Sequence, residues 1–251
     1  MRHLLVGALV ASGSRRLLDV APPGGTARWE RSNHRGARVS LLSGPALVTG
    51  AALTSGLPGW PVAVASLGAA GTGWYDDAAG HLDHAKGLRG HAAALRQGRL
   101  TGGAVKVVGI GASALCAVLL LPRRTLGAVL RDAALVAGAA NLLNLLDLRP
   151  GRALKAGLAI AAALRLPGPA GACAGLLPGD LGERTMLGDC GANGLGALLG
   201  LAAVVRLAPD RRTAVLGVVT GLTVASEVVS FTRVIEATPG LRELDGWGRR
   251  R

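Results

Sequence analysis

Four carboxylates interrupt an otherwise apolar chain at places where they could act together. Asp76 and Asp77 are adjacent in GWYDDAAG, Asp147 closes the run NLLNLLD, and Asp189 lies between glycines in MLGDCGANGLG. Oxygen ligands of this kind suit Mg²⁺, which is commonly held through one or two carboxylates while substrate phosphates complete its shell. Lys106 follows in the first turns of an apolar segment that Thr101 is placed to cap. A lysine beside a helix N-terminus is a ready phosphate site. Each signal also has a plainer reading. An isolated Asp-Asp pair is more often a solvated helix end, Lys106 serves equally as an anchor snorkelling to a membrane interface, and GDxG is often just a tight turn. What carries weight is their agreement, because all fall at the same ends of successive apolar segments.

The stretch NLLNLLDLRPG adds two amides to the set. A helix turns about 100° per residue, so Asn141, Asn144 and Asp147 share an arc of about 120°. A polar face in an apolar helix belongs inside a bundle, not against lipid. Interhelical hydrogen bonding accounts for Asn141 and Asn144, and less well for Asp147. The basic stretch HLDHAKGLRGH holds His81, His84, Lys86, Arg89 and His91. Its His-x-x-His spacing lacks a cysteine or a second pair, so solvated loop histidines are a better reading than zinc.

The elements that must position these residues are apolar helices. Half of the 251 residues are hydrophobic, mean hydropathy is +0.41, and aromatic residues make up only 2%. Ala, Gly, Leu and Val carry the apolar character, which suits membrane helices whose backbones approach closely. The net charge is +13. A basic balance is compatible with nucleic acid, anionic lipid or a phosphate-bearing substrate. Nucleic acid is excluded by the scarcity of aromatic stacking residues and by the placement of arginines in short clusters between apolar runs. Cys116, Cys173 and Cys190 are scattered and odd in number, and read as small apolar residues.

Helices are predicted near 2–18, 41–57, 60–75, 103–121, 125–146, 153–166, 168–178, 193–208 and 213–233. The first segment, MRHLLVGALVASGSRR, has the look of a signal peptide, but a retained membrane helix fits the rest of the chain better. The expected fold is therefore all-α: one polytopic membrane bundle over residues 1–251, with about nine transmembrane helices. Nine crossings collect the loops near 15–40, 76–102, 147–152, 179–192 and 234–251 on one side. With Lys106, Lys155 and Arg233 at helix ends, that side holds 20 Lys and Arg. The other side holds 8, among them Arg123, Arg124, Arg211 and Arg212. The excess of positive charge makes the first side cytoplasmic, with the N-terminus out and the C-terminus in. All four carboxylates, Lys106 and two helix N-termini fall on that side.

Four segments, in order, resemble the polytopic glycosyltransferase family 4 enzymes, the polyprenyl-phosphate sugar-1-phosphate transferases. They are NHRG (33–36), the Asp76–Asp77 pair, NLLNLLD (141–147) and MLGDCGANGLG (186–196). The resemblance implies transfer of a sugar 1-phosphate from a UDP-sugar donor to a polyprenyl phosphate lipid, with release of UMP, at the cytoplasmic face of the plasma membrane. It implies Mg²⁺ held by Asp189, and Asp76 and Asp77 handling the lipid phosphate. It further implies Asn144 and Asp147 in the nucleotide-sugar site, with Lys106 contacting phosphate. The product would serve an envelope glycopolymer, and a homodimer is compatible with the family. Two departures stand out. The family continues its Asn-rich motif as Asp-Gly-x-Asp-Gly, whereas Pro150 stands here where the second Asp is expected. The family's last cytoplasmic loop has a histidine cluster after a proline, whereas TPGLRELDGWGRR has none, leaving Arg242 or Asp245 in that place. Two other readings remain open: a divergent relative that binds lipid-linked intermediates or partner proteins without catalysis, and a small membrane transporter.

Overall fold

The computed structural model describes residues 1–79, 102–122 and 124–250. His81, His84, Lys86, Arg89, His91, Thr101 and Arg123 lie outside the described residues. The chain is a helical bundle of α1 (Arg2–Val20), α2 (Ser43–Leu53), α3 (Gly59–Val62), α4 (Gly68–Ala79), α5 (Gly102–Leu119), α6 (Leu126–Leu146), α7 (Arg152–Ala163), α8 (Pro167–Leu181), α9 (Gly188–Arg206), α10 (Pro209–Ser226), α11 (Phe231–Ala237) and α12 (Leu241–Gly246). A π-helical turn over Ala63–Leu67 joins α3 to α4.

Every segment expected to be helical is helical, with two changes. The eighth expected helix starts five residues early, at Gly188. The ninth breaks after Ser226, and α11 then leaves at 98° to α10. Three helices, α5, α6 and α9, are long and apolar enough to cross a membrane, and α10 with α11 would add a fourth as a broken span. The 11, 12 and 15 residues of α2, α7 and α8 fall short of the ~20 that a hydrocarbon core requires. Helix α1 is long enough but carries Arg15, Arg16 and Asp19 in its last turns.

Helix α9 is the hub of the bundle. It packs against α6, α4 and α2, while α1 lies across α8 and α2. From Cys190 to Val204 every residue of α9 is buried. Small residues make this possible: a Cβ on Gly196 would stand 2.6 Å from the carbonyl oxygen of Ala139 in α6. The Ser66 hydroxyl in the π-helical turn donates to the Gly194 carbonyl at 3.0 Å, fixing the α3–α4 column to the same hub.

One element departs from the all-helical expectation. The first long loop contains an antiparallel hairpin, β1 (Glu30–Ser32) and β2 (Arg38–Ser40), with Arg31 opposite Val39. The NHRG segment is its turn. The Asn33 side-chain oxygen accepts from the amides of Arg35 and Ala37, and Gly36 takes φ +77°. Ser40 then pairs with the loop ahead of α9, exchanging backbone hydrogen bonds with Arg184 and Met186. Three-residue strands reading ERS and RVS have no apolar alternation to announce them, so this hairpin is held by tertiary partners.

Candidate active site

The site forms where four chain segments meet at the first turn of α9. Asp76 and Asp77 arrive on the last turns of α4, Lys106 on the first turns of α5, and Asn144 and Asp147 at the end of α6. The β1 strand closes the remaining side. One cleft of about 350 Å³ is bordered by Arg31, Asp76, Asp77, Asn144, Asp147 and Asp189.

Asp189 is the centre of the arrangement. Its carboxylate is bonded by the Lys106 ammonium and accepts from the Asn144 amide at 2.5 Å. Lys106 also lies 3.9 Å from Asp76. The three-residue spacing that puts Asn144 and Asp147 on one side of α6 thus delivers them to adjacent residues, Asp189 and Gly188, at the start of α9. Asp147 caps α6 with non-helical backbone, and its side chain accepts from the Gly188 amide at 2.9 Å.

Asp77 faces away from Asp76 in purpose. Its two oxygens accept from the amides of Asp189 and Cys190 at 3.1 and 3.0 Å. The first three amides of α9 are therefore satisfied by two carboxylates, Asp147 and Asp77. This corrects two expectations. Asp189 lies within the helix, not ahead of it, and the helix N-terminus offers no free amides to a phosphate at Gly188, Asp189 or Cys190. Orphan N-terminal amides need acceptors, and a carboxylate there is also favoured by the helix dipole. Gly188 makes the turn possible by taking φ +62°, with a would-be Cβ 2.9 Å from the Asp77 carboxylate.

Burial, followed by the negative charge of Asp189, pushes the Asp77 carboxyl up to about 7. Asp147 is buried, and burial and then Asp180 raise its carboxyl well above the ordinary value. Asp180, at the end of α8, is a fifth carboxylate that sequence reasoning missed. It accepts from the Gly151 amide at 2.7 Å, and burial pushes it up to about 7. In PGDLGERT it looks like an ordinary loop aspartate. Arg31 was missed as well. Its guanidinium reaches across the cleft to the carbonyl of Asp77 and also donates to the carbonyls of Arg28 and Glu30. Trp29 stacks on Trp74 with ring centroids 5.8 Å apart, seating the hairpin on α4 just before the acidic pair.

Two expected residues lie apart from the cleft. Asn141 faces a groove of about 460 Å³ between α5, α6 and α10, which shares Asp76 and Lys106 with the site. Its lining also includes Ile110, Val219 and Val224. Arg242 is exposed and pairs with Glu243 at 2.9 Å. Asp245 is likewise committed elsewhere. It binds the buried Arg152 through two bonds of 2.9 Å and also accepts from Arg249. These contacts, with the Lys155 ammonium on the carbonyls of Leu244, Asp245 and Trp247, dock the C-terminal segment onto α7. Pro150 gives its carbonyl to Arg249 at 2.8 Å.

Carboxylate oxygens are the donor type that suits a hard divalent cation. The Lys106 ammonium pairs with Asp189 and lies 3.9 Å from Asp76, and among the described residues no group of three or more His, Cys, Asp or Glu is placed to hold a metal ion by itself. Mg²⁺ in general is held through one or two carboxylates, with phosphates and water supplying the remaining ligands. The sequence matches no protein-family model and no curated protein.

Proposed function

We propose that this protein is a Mg²⁺-dependent phosphoglycosyltransferase that moves a sugar 1-phosphate from a UDP-sugar to a polyprenyl phosphate at the cytoplasmic membrane face. The observation that carries the reading is the Asp189 carboxylate, bonded at once by Lys106 and Asn144 in a cleft that also contains Asp76, Asp77 and Asp147. Phosphoryl transfer needs positioning and charge neutralisation more than covalent machinery, and a cleft rich in carboxylates with one lysine supplies both once a cation is present. Asp189 would hold Mg²⁺, which would neutralise charge on the donor diphosphate.

A lipid-phosphate oxygen attacks the sugar-bearing phosphorus of the donor. The bond from that phosphorus to the bridging oxygen breaks, and UMP leaves with that oxygen. Asp76 borders both the polar cleft and the apolar groove, so it stands where donor and lipid phosphate meet and is the carboxylate of the pair suited to accept a proton from the lipid phosphate. Asp77, engaged with the amides of α9, acts as the positioning member. Lys106 serves the phosphates from the same junction. The groove lined by Ile110, Val219 and Val224 suits the isoprenoid chain. Asp180 brings a carboxylate to the backbone of Gly151, beside the position where the family motif has its second aspartate.

The nine-crossing arrangement, with the N-terminus out and the C-terminus in, belongs to the same proposal and rests on the 20-to-8 division of basic residues. The test is direct. Purified protein with polyprenyl phosphate, Mg²⁺ and a panel of UDP-sugars should release UMP, and Asp189→Asn should lower the release sharply. Absence of UMP with every sugar, under conditions in which an authentic family member works, refutes the proposal.

A further inference from the structure

A second concentration of charge lies at the far end of the bundle and has no part in the carboxylate cleft. Asp132 is 0% exposed in the second turn of α6 and is surrounded by three guanidinium groups. Arg124 bonds its Oδ2, Arg131 Nε donates to its Oδ1 at 2.9 Å, and Arg212 from α10 donates to Oδ2 at 3.1 Å. The three arginine side chains are only 17%, 22% and 13% exposed. Asp132 is the sole carboxylate within ion-pairing distance of them among the described residues. Two positive charges in this half-buried cluster are therefore left without a counter-charge from the protein. The Nε of Arg124 is a buried donor with no acceptor.

The surroundings say what would supply the missing anion. Asp132 and Asp147 are separated by fifteen residues along α6, roughly 20 Å at the helical rise, so the arginine cluster and the carboxylate cleft occupy opposite ends of this candidate span. Helix α5 ends beside the cluster, with Leu119 and Leu120 exposed, and α6 begins there with Leu126 and Leu130 exposed. Both helices are apolar enough to cross a membrane. The N-termini of α6 and α10 open at this end as well, adding their positive dipole ends. Guanidinium groups match the oxygens of a phosphate in a bidentate fork, and exposed leucines on two apolar helices place acyl chains next to it.

We propose that Arg124, Arg131 and Arg212 hold the phosphate of an anionic phospholipid against the end of the bundle opposite the carboxylate cleft. Asp132 is the internal counter-ion that keeps the three guanidinium groups converged. The bound lipid fastens α6 to α10 from outside as Asp132 fastens them from within. The assignment is independent of the proposed transferase reaction.

Native mass spectrometry of the full chain in neutral detergent, with phosphatidylglycerol and phosphatidylcholine in equal amounts, tests it. Phosphatidylglycerol should be retained in preference, and Arg131→Gln or Arg124→Gln should cut the preference about fivefold for the charge removed. Arg131→Lys should keep most of it. Asp132→Asn removes the competing carboxylate and should leave the preference intact or raised even if the bundle loosens. Equal retention of the two lipids by the wild type overturns the proposal, as does an unchanged preference in both glutamine variants. If inorganic phosphate or glycerol 3-phosphate displaces the lipid at matching concentration, the ligand is a free phosphate and the lipid assignment fails.

Discussion

The carboxylate of Asp77 accepts from the amides of Asp189 and Cys190 at 3.1 and 3.0 Å, so a residue in the last turn of α4 sets the position of the residue at the centre of the site. Asp77→Ala leaves two helix amides without their acceptor. Loss of a cap costs about 1 kcal/mol, and orphaned buried donors add about 1–3 kcal/mol. Thermal unfolding should show a clear fall for Asp77→Ala and a smaller one for Asp77→Asn, which keeps one acceptor. Unfolding of the alanine variant at the wild-type temperature would contradict the capping role.

Lys106 and Asp189 act as one unit in the proposed reaction. Lys106→Met and Asp189→Asn should each lower UMP release by about 10²-fold or more, the usual cost of removing a preorganised electrostatic contact. The double variant should lose little beyond either single variant, because residues that serve one charge cluster are not additive. Fully additive losses would mean that the two residues serve separate steps.

Gly73 lets α4 lie directly against the start of α9. A Cβ there would stand 2.2 Å from the Asp189 carbonyl oxygen and 2.7 Å from the Cys190 nitrogen, both backbone atoms that cannot step aside. Gly73→Ala should destabilise by about 1–3 kcal/mol, as overpacking does, and should disturb the Asp77 contacts. Gly71, one turn-half away, has open space at its Cβ position. Gly71→Ala should be neutral or stabilising by up to about 1 kcal/mol, because alanine favours the helix. Parallel melting curves check the pair, and similar curves for the two variants would refute the packing account.

Asp180 gives the stability a pH dependence of predictable sign. Its carboxyl is raised from 3.8 to about 7 in the folded chain by burial. Between those values the folded protein keeps a proton that the unfolded chain has released, so this contribution is complete below about pH 4 and is lost as pH rises to about 7. Asp77 acts in the same window, since it too is raised to about 7. Asp245 has the opposite sign: Arg152 and Arg249 outweigh its burial and hold it below 3.8, so its contribution is lost only at more acid pH. The melting temperature should fall from pH 5 to pH 8, and Asp180→Asn should flatten the slope while raising stability at pH 8. A wild-type melting temperature that climbs over this range would exclude the assignment.

Much of the helical plan was legible because its causes are local. Apolar runs of Ala, Leu and Val separated by Gly, Pro and Arg clusters define each helix, and the three-residue spacing of Asn141, Asn144 and Asp147 defines one polar face. The break after Ser226 and the early start of α9 were not legible. Helix α9 begins at Gly188 only because carboxylates from α4 and α6 arrive to satisfy its amides. Likewise, the hairpin at 30–40 has no strand pattern of its own and depends on Ser40 meeting Arg184 and Met186.

The sequence by itself determined that Asp76, Asp77, Lys106, Asn144, Asp147 and Asp189 sit at corresponding ends of successive apolar helices, because hydropathy and helical period are properties of neighbours along the chain. The tertiary structure alone decided how they divide the work. Asp76 faces Lys106 across from Asp189, whereas its neighbour Asp77 turns to the backbone of α9, since adjacent residues on a helix point about 100° apart. It also drew in Arg31 and Asp180 and left Arg242 in solvent. Those outcomes depend on which helices touch, and contacts between residues a hundred positions apart leave no local trace in the sequence.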